Sequence, residues 1–98
     1  MNKKDYNRVI KELNKRLNTN KFNFGYSGGV FGTNLGKVEV HLHGYDKKEN
    51  IYSVFIKFND IEKLKENGIF HYNEYNGKAN IHSSDIEYVL NMIAYYIF

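Results

Sequence analysis

Asn76-Gly77 is the pair that most constrains this chain. It separates two alternating runs, IFHYNEY (69–75) and KANIH (78–82). An Asn-Gly pair in that setting predicts a two-residue type I′ turn, because both central residues need positive φ. Such a turn also sets the register: Tyr75 faces Lys78, Asn73 faces Asn80, and His71 faces His82. Side chains alternate across a strand, so Phe70, Tyr72, Ala79 and Ile81 share the opposite, more apolar face. A hairpin with one apolar face needs further strands and a covering layer to be stable.

The rest of the sequence supplies both. Tyr6, Val9, Ile10, Leu13 and Leu17 follow the i, i+3, i+4, i+7 rule and predict an amphipathic helix over 4–17. Asn18-Thr19-Asn20 stops it with residues that offer competing local hydrogen bonds. The period then changes to two: Phe22, Phe24 and Tyr26 predict a half-buried strand, as do Val38, Val40 and Leu42. IYSVFIKF (51–58) reads as another, with Tyr52, Val54, Ile56 and Phe58 toward the core. NDIEKLKENG reads as a short helix capped by Asn59 with Glu62 and stopped by Gly68. A capping box of Ser84 and Glu87 opens a helix that runs to the end of the chain on a stripe of Ile86, Val89, Leu90, Ile93 and Ile97. The order α-β-β-β-(short α)-β-β-α predicts one α+β domain over 1–98, with an antiparallel sheet of about five strands and the terminal helices on one face.

The stretch GYSGGVFGTNLGKVEVHLHGY (25–45) raises a phosphate-loop reading, which fails. The motif G-x-x-x-x-G-K-[ST] needs Gly at position 31 and Ser or Thr at position 38; these are Phe31 and Val38. The glycines are therefore assigned to bulges, turns and close backbone approach in a long hairpin. Val30, Phe31 and Leu35 inside it are either a contact surface or caps on the core.

Composition narrows the function classes. The chain has no cysteine, which excludes a disulfide framework and thiolate chemistry. No apolar run approaches the roughly 20 residues of a membrane span. The N-terminus MNKKDYNRVI lacks the apolar stretch of a secretory signal, so the expected location is the cytoplasm. The 14 Asn, 12 Lys, 9 Ile and 9 Tyr against 2 Arg and no Pro follow A/T-rich codons and suggest a bacterial or phage genome. Net charge is +3 and uneven. Residues 1–21 hold seven Lys or Arg against two Asp or Glu, a net +5, while residues 22–98 hold seven against nine, a net −2.

Three sets of residues are candidates for function. His41 and His43 share one side of a strand, and the turn register adds His71 and His82 to that side, with Glu39 and Tyr75. Imidazoles so placed form a weak candidate metal site, yet no nucleophile, cofactor or carboxylate-rich motif accompanies them. The chain is read as non-enzymatic, without cofactor. Lys3, Lys4, Arg8, Lys11, Lys15 and Arg16 on the first helix are candidates for phosphate contacts. The element order is similar to that of the double-stranded RNA-binding domain. That family opens its C-terminal helix with a Lys-rich cluster, whereas this chain has the acidic SSDIEYVL, so the likeness is one of element order alone. Met92, Tyr95, Tyr96 and Phe98 extend beyond the single stripe a sheet-packed helix requires, and Tyr and Met are enriched in interface cores. With Val30, Phe31 and Leu35 they form the candidate partner or dimer surface. The expected function is a small protein-binding inhibitor, phage or mobile-element encoded. Its expected target is a bacterial nuclease or ribonucleoprotein defence complex, as for anti-CRISPR proteins. The alternative is a nucleic-acid-binding accessory protein using the basic helix, and a third reading is a His-dependent metalloprotein.

Overall fold

The computed structural model describes residues 1–48 and 51–97. The elements are α1 (Lys3–Leu17), β1 (Ser27–Thr33), β2 (Gly36–Asp46), β3 (Ile51–Phe58), α2 (Ile61–Glu66), β4 (Asn73–Tyr75), β5 (Lys78–Ser83) and α3 (Ile86–Met92), which continues into a π-helical turn, Ile93–Ile97. The strands form one antiparallel sheet in the order β1-β2-β3-β5-β4. The α+β architecture and element order expected from the sequence are those observed.

One face of the sheet carries the core. Val38, Val40, Leu42, Val54, Ile56, Phe58, Ala79 and Ile81 are buried there, under Tyr6, Val9 and Leu13 of α1 and Val89, Met92, Ile93 and Ile97 near the C-terminus. Fully burying a side chain of this size contributes roughly 1.5–3 kcal/mol, and in a small domain that makes each such position necessary. β5 pairs only with Val54–Phe58 of β3. Beside the first half of β3, Met1 takes the strand's place: its amino group donates to the Tyr52 carbonyl, and the Tyr52 amide donates to the Met1 carbonyl, both at 2.9 Å.

The first strand lies where the glycine-rich connection was expected, and residues 22–26 are not a strand. The reason is in α1. The Asn14 side chain donates to the Phe22 carbonyl at 2.9 Å and accepts from the Phe22 amide at 3.1 Å. That amide satisfies the backbone groups a neighbouring strand would otherwise take. Phe22 is buried beneath it, while Phe24 and Tyr26 remain exposed at the surface. Gly29 shares the core face with its partner Val40, and the room a side chain would need there is filled by the rings of Phe31 and Phe22.

The Asn76-Gly77 turn is as expected, with φ of 51° and 72°, and it pairs Tyr75 with Lys78 and Asn73 with Asn80. The pairing stops there. The Ile69 amide donates to Leu64 at the end of α2, and Ile69 is buried, so the chain leaves the sheet before His71 reaches His82. Two caps also shift by one residue. Asp60, not Asn59, accepts from the Lys63 amide, because the Asn59 amide still bonds the Lys37 carbonyl of β2. Asp85, not Ser84, accepts from the Tyr88 amide. At the C-terminus, the wider π winding keeps Ile93 and Ile97 on the buried side and turns Tyr95 outward.

Candidate functional site

Among the described residues, no helix or strand covers the face of the sheet opposite the helices. Pairing puts Glu39, His41 and His43 of β2 beside Lys57, Phe55 and Ser53 of β3, and Phe55 and Lys57 in turn beside His82 and Asn80 of β5. Rings dominate one half of this surface. Phe55 lies in contact with both histidines of β2, stacked on His43 at 5.8 Å and edge-on to His41 at 5.7 Å. His43 meets His82 at 5.4 Å, and Tyr26 packs over His41 and His43. Burial holds the His43 imidazole below its ordinary titration range, and the neighbouring His82 and His41 add to this.

Three of the four histidines are therefore brought together and His71 is not. Two of the three have a ring nitrogen engaged with another group: His41 Nδ1 lies 2.6 Å from Tyr26 Oη, and His82 Nε2 lies 2.7 Å from Ser53 Oγ. Among the described residues, no group of three or more His, Asp or Glu side chains is arranged to hold a metal ion.

The other half of the open face is a pocket of about 370 Å³. β2 contributes Glu39 and His41, β3 contributes Phe55 and Lys57, and β5 contributes Lys78 and Asn80. Tyr75 and Asn76 complete it from the hairpin. Lys57 forms an ion pair with Glu39 at 3.3 Å. Asn80 Oδ1 is buried and has no hydrogen-bond partner among the described residues. Sequence reasoning placed Glu39, His41, Tyr75, Lys78 and Asn80 on this face but missed Phe55 and Lys57. A signal existed: Phe55 is the apolar residue out of phase with Val54, Ile56 and Phe58.

The candidate contact residues divide. Leu35 and Met92 are 1% and 2% exposed and belong to the core, so no partner reaches them as folded. Phe31 is half-buried against that core, while Val30 stands exposed on the open sheet face beside Glu39. Tyr95 is 72% exposed. Tyr96 helps form a second, smaller cleft of about 140 Å³ with Phe70, His71, Tyr88 and Met92. Phe70 projects at its rim, 67% exposed. The Tyr88 phenol is held above its ordinary range by burial and by Tyr96. Phe98 lies outside the described residues.

All six cationic residues of α1 are exposed. Lys4, Arg8, Lys11 and Lys15 follow at intervals of four, three and four, which confines them to about 60° of the helix circumference over some 16 Å. That stripe is diametrically opposite Tyr6, Val9 and Leu13, so it points away from the sheet. Arg16 is off the stripe and bonds Glu12 at 2.5 Å. Lys3 sits 4.9 Å over the Phe24 ring.

Among the described residues no helix is long and apolar enough to cross a membrane. No protein-family model, curated protein or solved structure matches this chain.

Proposed function

We propose that this chain is a non-catalytic inhibitor that acts by covering a surface on a protein partner. The observation that carries the reading is the aromatic cleft at the C-terminal end of the fold, where Phe70, Tyr88 and Tyr96 surround a hollow and Phe70 remains two-thirds exposed. Large aromatic side chains at the edge of a pocket are the usual anchors of protein interfaces. The target class is a bacterial nuclease or ribonucleoprotein defence complex, and the source is a phage or mobile element. The A/T-rich residue usage and the small size of the chain support the source, and the target class is the one such small proteins commonly meet.

Affinity capture from a bacterial lysate, split into nuclease-treated and untreated halves, tests this. One stoichiometric protein should survive nuclease treatment, be lost with Phe70→Glu, and lose its own activity when the wild-type chain is added. Capture that collapses on nuclease treatment would sink the reading. So would a partner indifferent to Phe70→Glu and Tyr95→Glu. A wild-type chain that is dimeric, and made monomeric by Tyr95→Glu or Tyr96→Glu, would instead make this surface a self-contact.

The basic stripe of α1 favours a second reading, a nucleic-acid-binding accessory protein. Lys4, Arg8 and Lys11 make no ion pair with a described residue, which leaves them available to phosphates. Binding of this kind falls steeply with salt. Duplex binding that persists unchanged in the Lys4→Glu/Lys11→Glu/Lys15→Glu variant would refute it.

A further inference from the structure

The two edges of the sheet are not alike. β4 ends it on one side with three residues, one of them Glu74. Shortness and charge are common protections of an exposed edge against pairing with another chain. β1, at the other side, has neither. It runs for seven residues, SGGVFGT, with no charged side chain and no proline, and its register with β2 is unbroken from Ser27 to Thr33.

The hydrogen bonds of β2 fix which groups that edge presents. The Lys37 carbonyl accepts from the Asn59 amide, just past β3. Backbone groups alternate sides along an antiparallel strand, so Glu39 and His41 also serve β3, while Val38, Val40 and Leu42 turn toward β1. Their partners Phe31, Gly29 and Ser27 take those bonds. The amides and carbonyls of Gly28, Val30 and Gly32 therefore point outward, with no partner among the described residues.

We infer that β1 pairs antiparallel with β1 of a second copy of this chain, across a two-fold axis at Val30. The strand is complementary to itself in that register. Val30 is its central residue, so Gly28 lies opposite Gly32 of the second copy, and every outward backbone group of both strands finds a partner. On the open face Val30, 57% exposed, packs against its symmetry mate with only glycine on either side. On the core face half-buried Phe31 lies opposite Gly29 of the second copy, which brings no side chain to collide with it. No net charge enters the contact. Glu39, beside Val30, is paired with Lys57 at 3.3 Å. It also stands three strand spacings from its symmetry mate, roughly 14 Å, beyond the Debye length of about 8 Å. The product is a closed dimer with one continuous sheet, whose outer edges are the two protected β4 strands. The inference does not depend on the protein-partner reading, because Phe70, Tyr88 and Tyr96 lie outside β1.

Two short strands make a smaller contact than a standard interface, so a Kd of about 10–100 µM is expected. The test is sedimentation equilibrium of the full chain on both sides of that concentration, with amide hydrogen exchange over the same range. The chain should pass from monomer to dimer and no further. The amides of Gly28, Val30 and Gly32 should gain protection as concentration rises, while those of Gly29 and Phe31, already bonded to β2, should change little. Val30→Lys sets like charges face to face and should weaken the dimer at least about tenfold. Its thermal midpoint, measured where the chain is monomeric, should be unchanged, since the side chain is exposed. Tyr95→Glu should leave the dimer intact. A chain that stays monomeric throughout overturns the inference; if Val30→Lys then abolishes capture of a protein partner, the edge takes a strand of that partner instead. A dimer that leaves the three outward amides unprotected, or that survives Val30→Lys, overturns it equally. Dissociation by Tyr95→Glu alone would place the contact on the C-terminal surface, and assembly beyond the dimer would rule out a closed pair.

Discussion

Replacing Asn14 by alanine removes one small side chain from α1 and, with it, the support of the segment between α1 and β1. Asn14 makes two hydrogen bonds to the backbone of Phe22, at 2.9 and 3.1 Å, both partly buried. Each such bond is worth about 1 kcal/mol net. Alanine recovers up to about 0.7 kcal/mol through its higher helix propensity. The expected loss is therefore about 1.5 kcal/mol, which for a domain of this size lowers the midpoint by about 6–12 °C. Urea unfolding followed by circular dichroism gives the free energy, and Asn20→Ala, an exposed Asn beyond the helix, is the control, expected within about 0.5 kcal/mol of wild type. Hydrogen exchange adds a local readout: the Phe22 amide should lose protection out of proportion to amides in β3 and β5. An Asn14→Ala chain as stable as the Asn20→Ala control, with Phe22 still protected, would refute the idea that a helix side chain substitutes for a strand partner here.

Gly29→Ala places a Cβ 2.5 Å from Phe31 Cζ and 3.1 Å from Phe22 Cζ. It should cost about 1–3 kcal/mol as overpacking, and Phe31→Leu should return part of that in the double variant; strict additivity in urea melts would count against the contact. The His43 imidazole has its pKa lowered from 6.5, by burial first and then by His82 and His41. The unfolded chain therefore binds more protons than the folded one below about pH 6.5, and the contribution present above that pH is lost as pH falls. Melting points measured from pH 7.5 down to 5 should decline, and His43→Phe should flatten the decline; an identical slope in the variant would remove His43 as its origin. Gly77→Ala, at φ 72°, should cost about 1 kcal/mol, read as a lower urea midpoint with an unchanged slope; no change would show that the turn does not need glycine there.

Elements with local causes were legible from the chain. The 3.6-residue stripe of α1, the alternation in β2 and β3 and the Asn-Gly turn each act within a few residues. The structure departs from expectation where a distant group intervenes. The alternation of Phe22, Phe24 and Tyr26 predicts a strand, but Asn14 takes up the Phe22 backbone first. The glycines of 28–32 predict a loop, yet they lie in β1, where the Phe31 and Phe22 rings fill the space a side chain on Gly29 would occupy. The register that sends His71 toward His82 is correct as far as Asn73, where the bond from Ile69 to the end of α2 draws the chain away. The candidate surfaces follow the same division. The cationic stripe of α1 follows from helix periodicity alone. The fate of Leu35 and Met92 depended on which apolar residues the core would claim, a matter of packing over the whole sheet.

By itself, then, the sequence determined the class of the fold, the order of its elements, the register at the hairpin tip and the outward basic stripe, because each rests on periodicity or on the conformational limits of one or two residues. Only the tertiary structure decided which strand begins the sheet, which aromatic side chains stay exposed, and that Phe55, Tyr75, Lys78 and Asn80 meet around one pocket. Those four come from three strands, and strand pairing across the sheet, rather than nearness in the chain, brings their side chains to the same place.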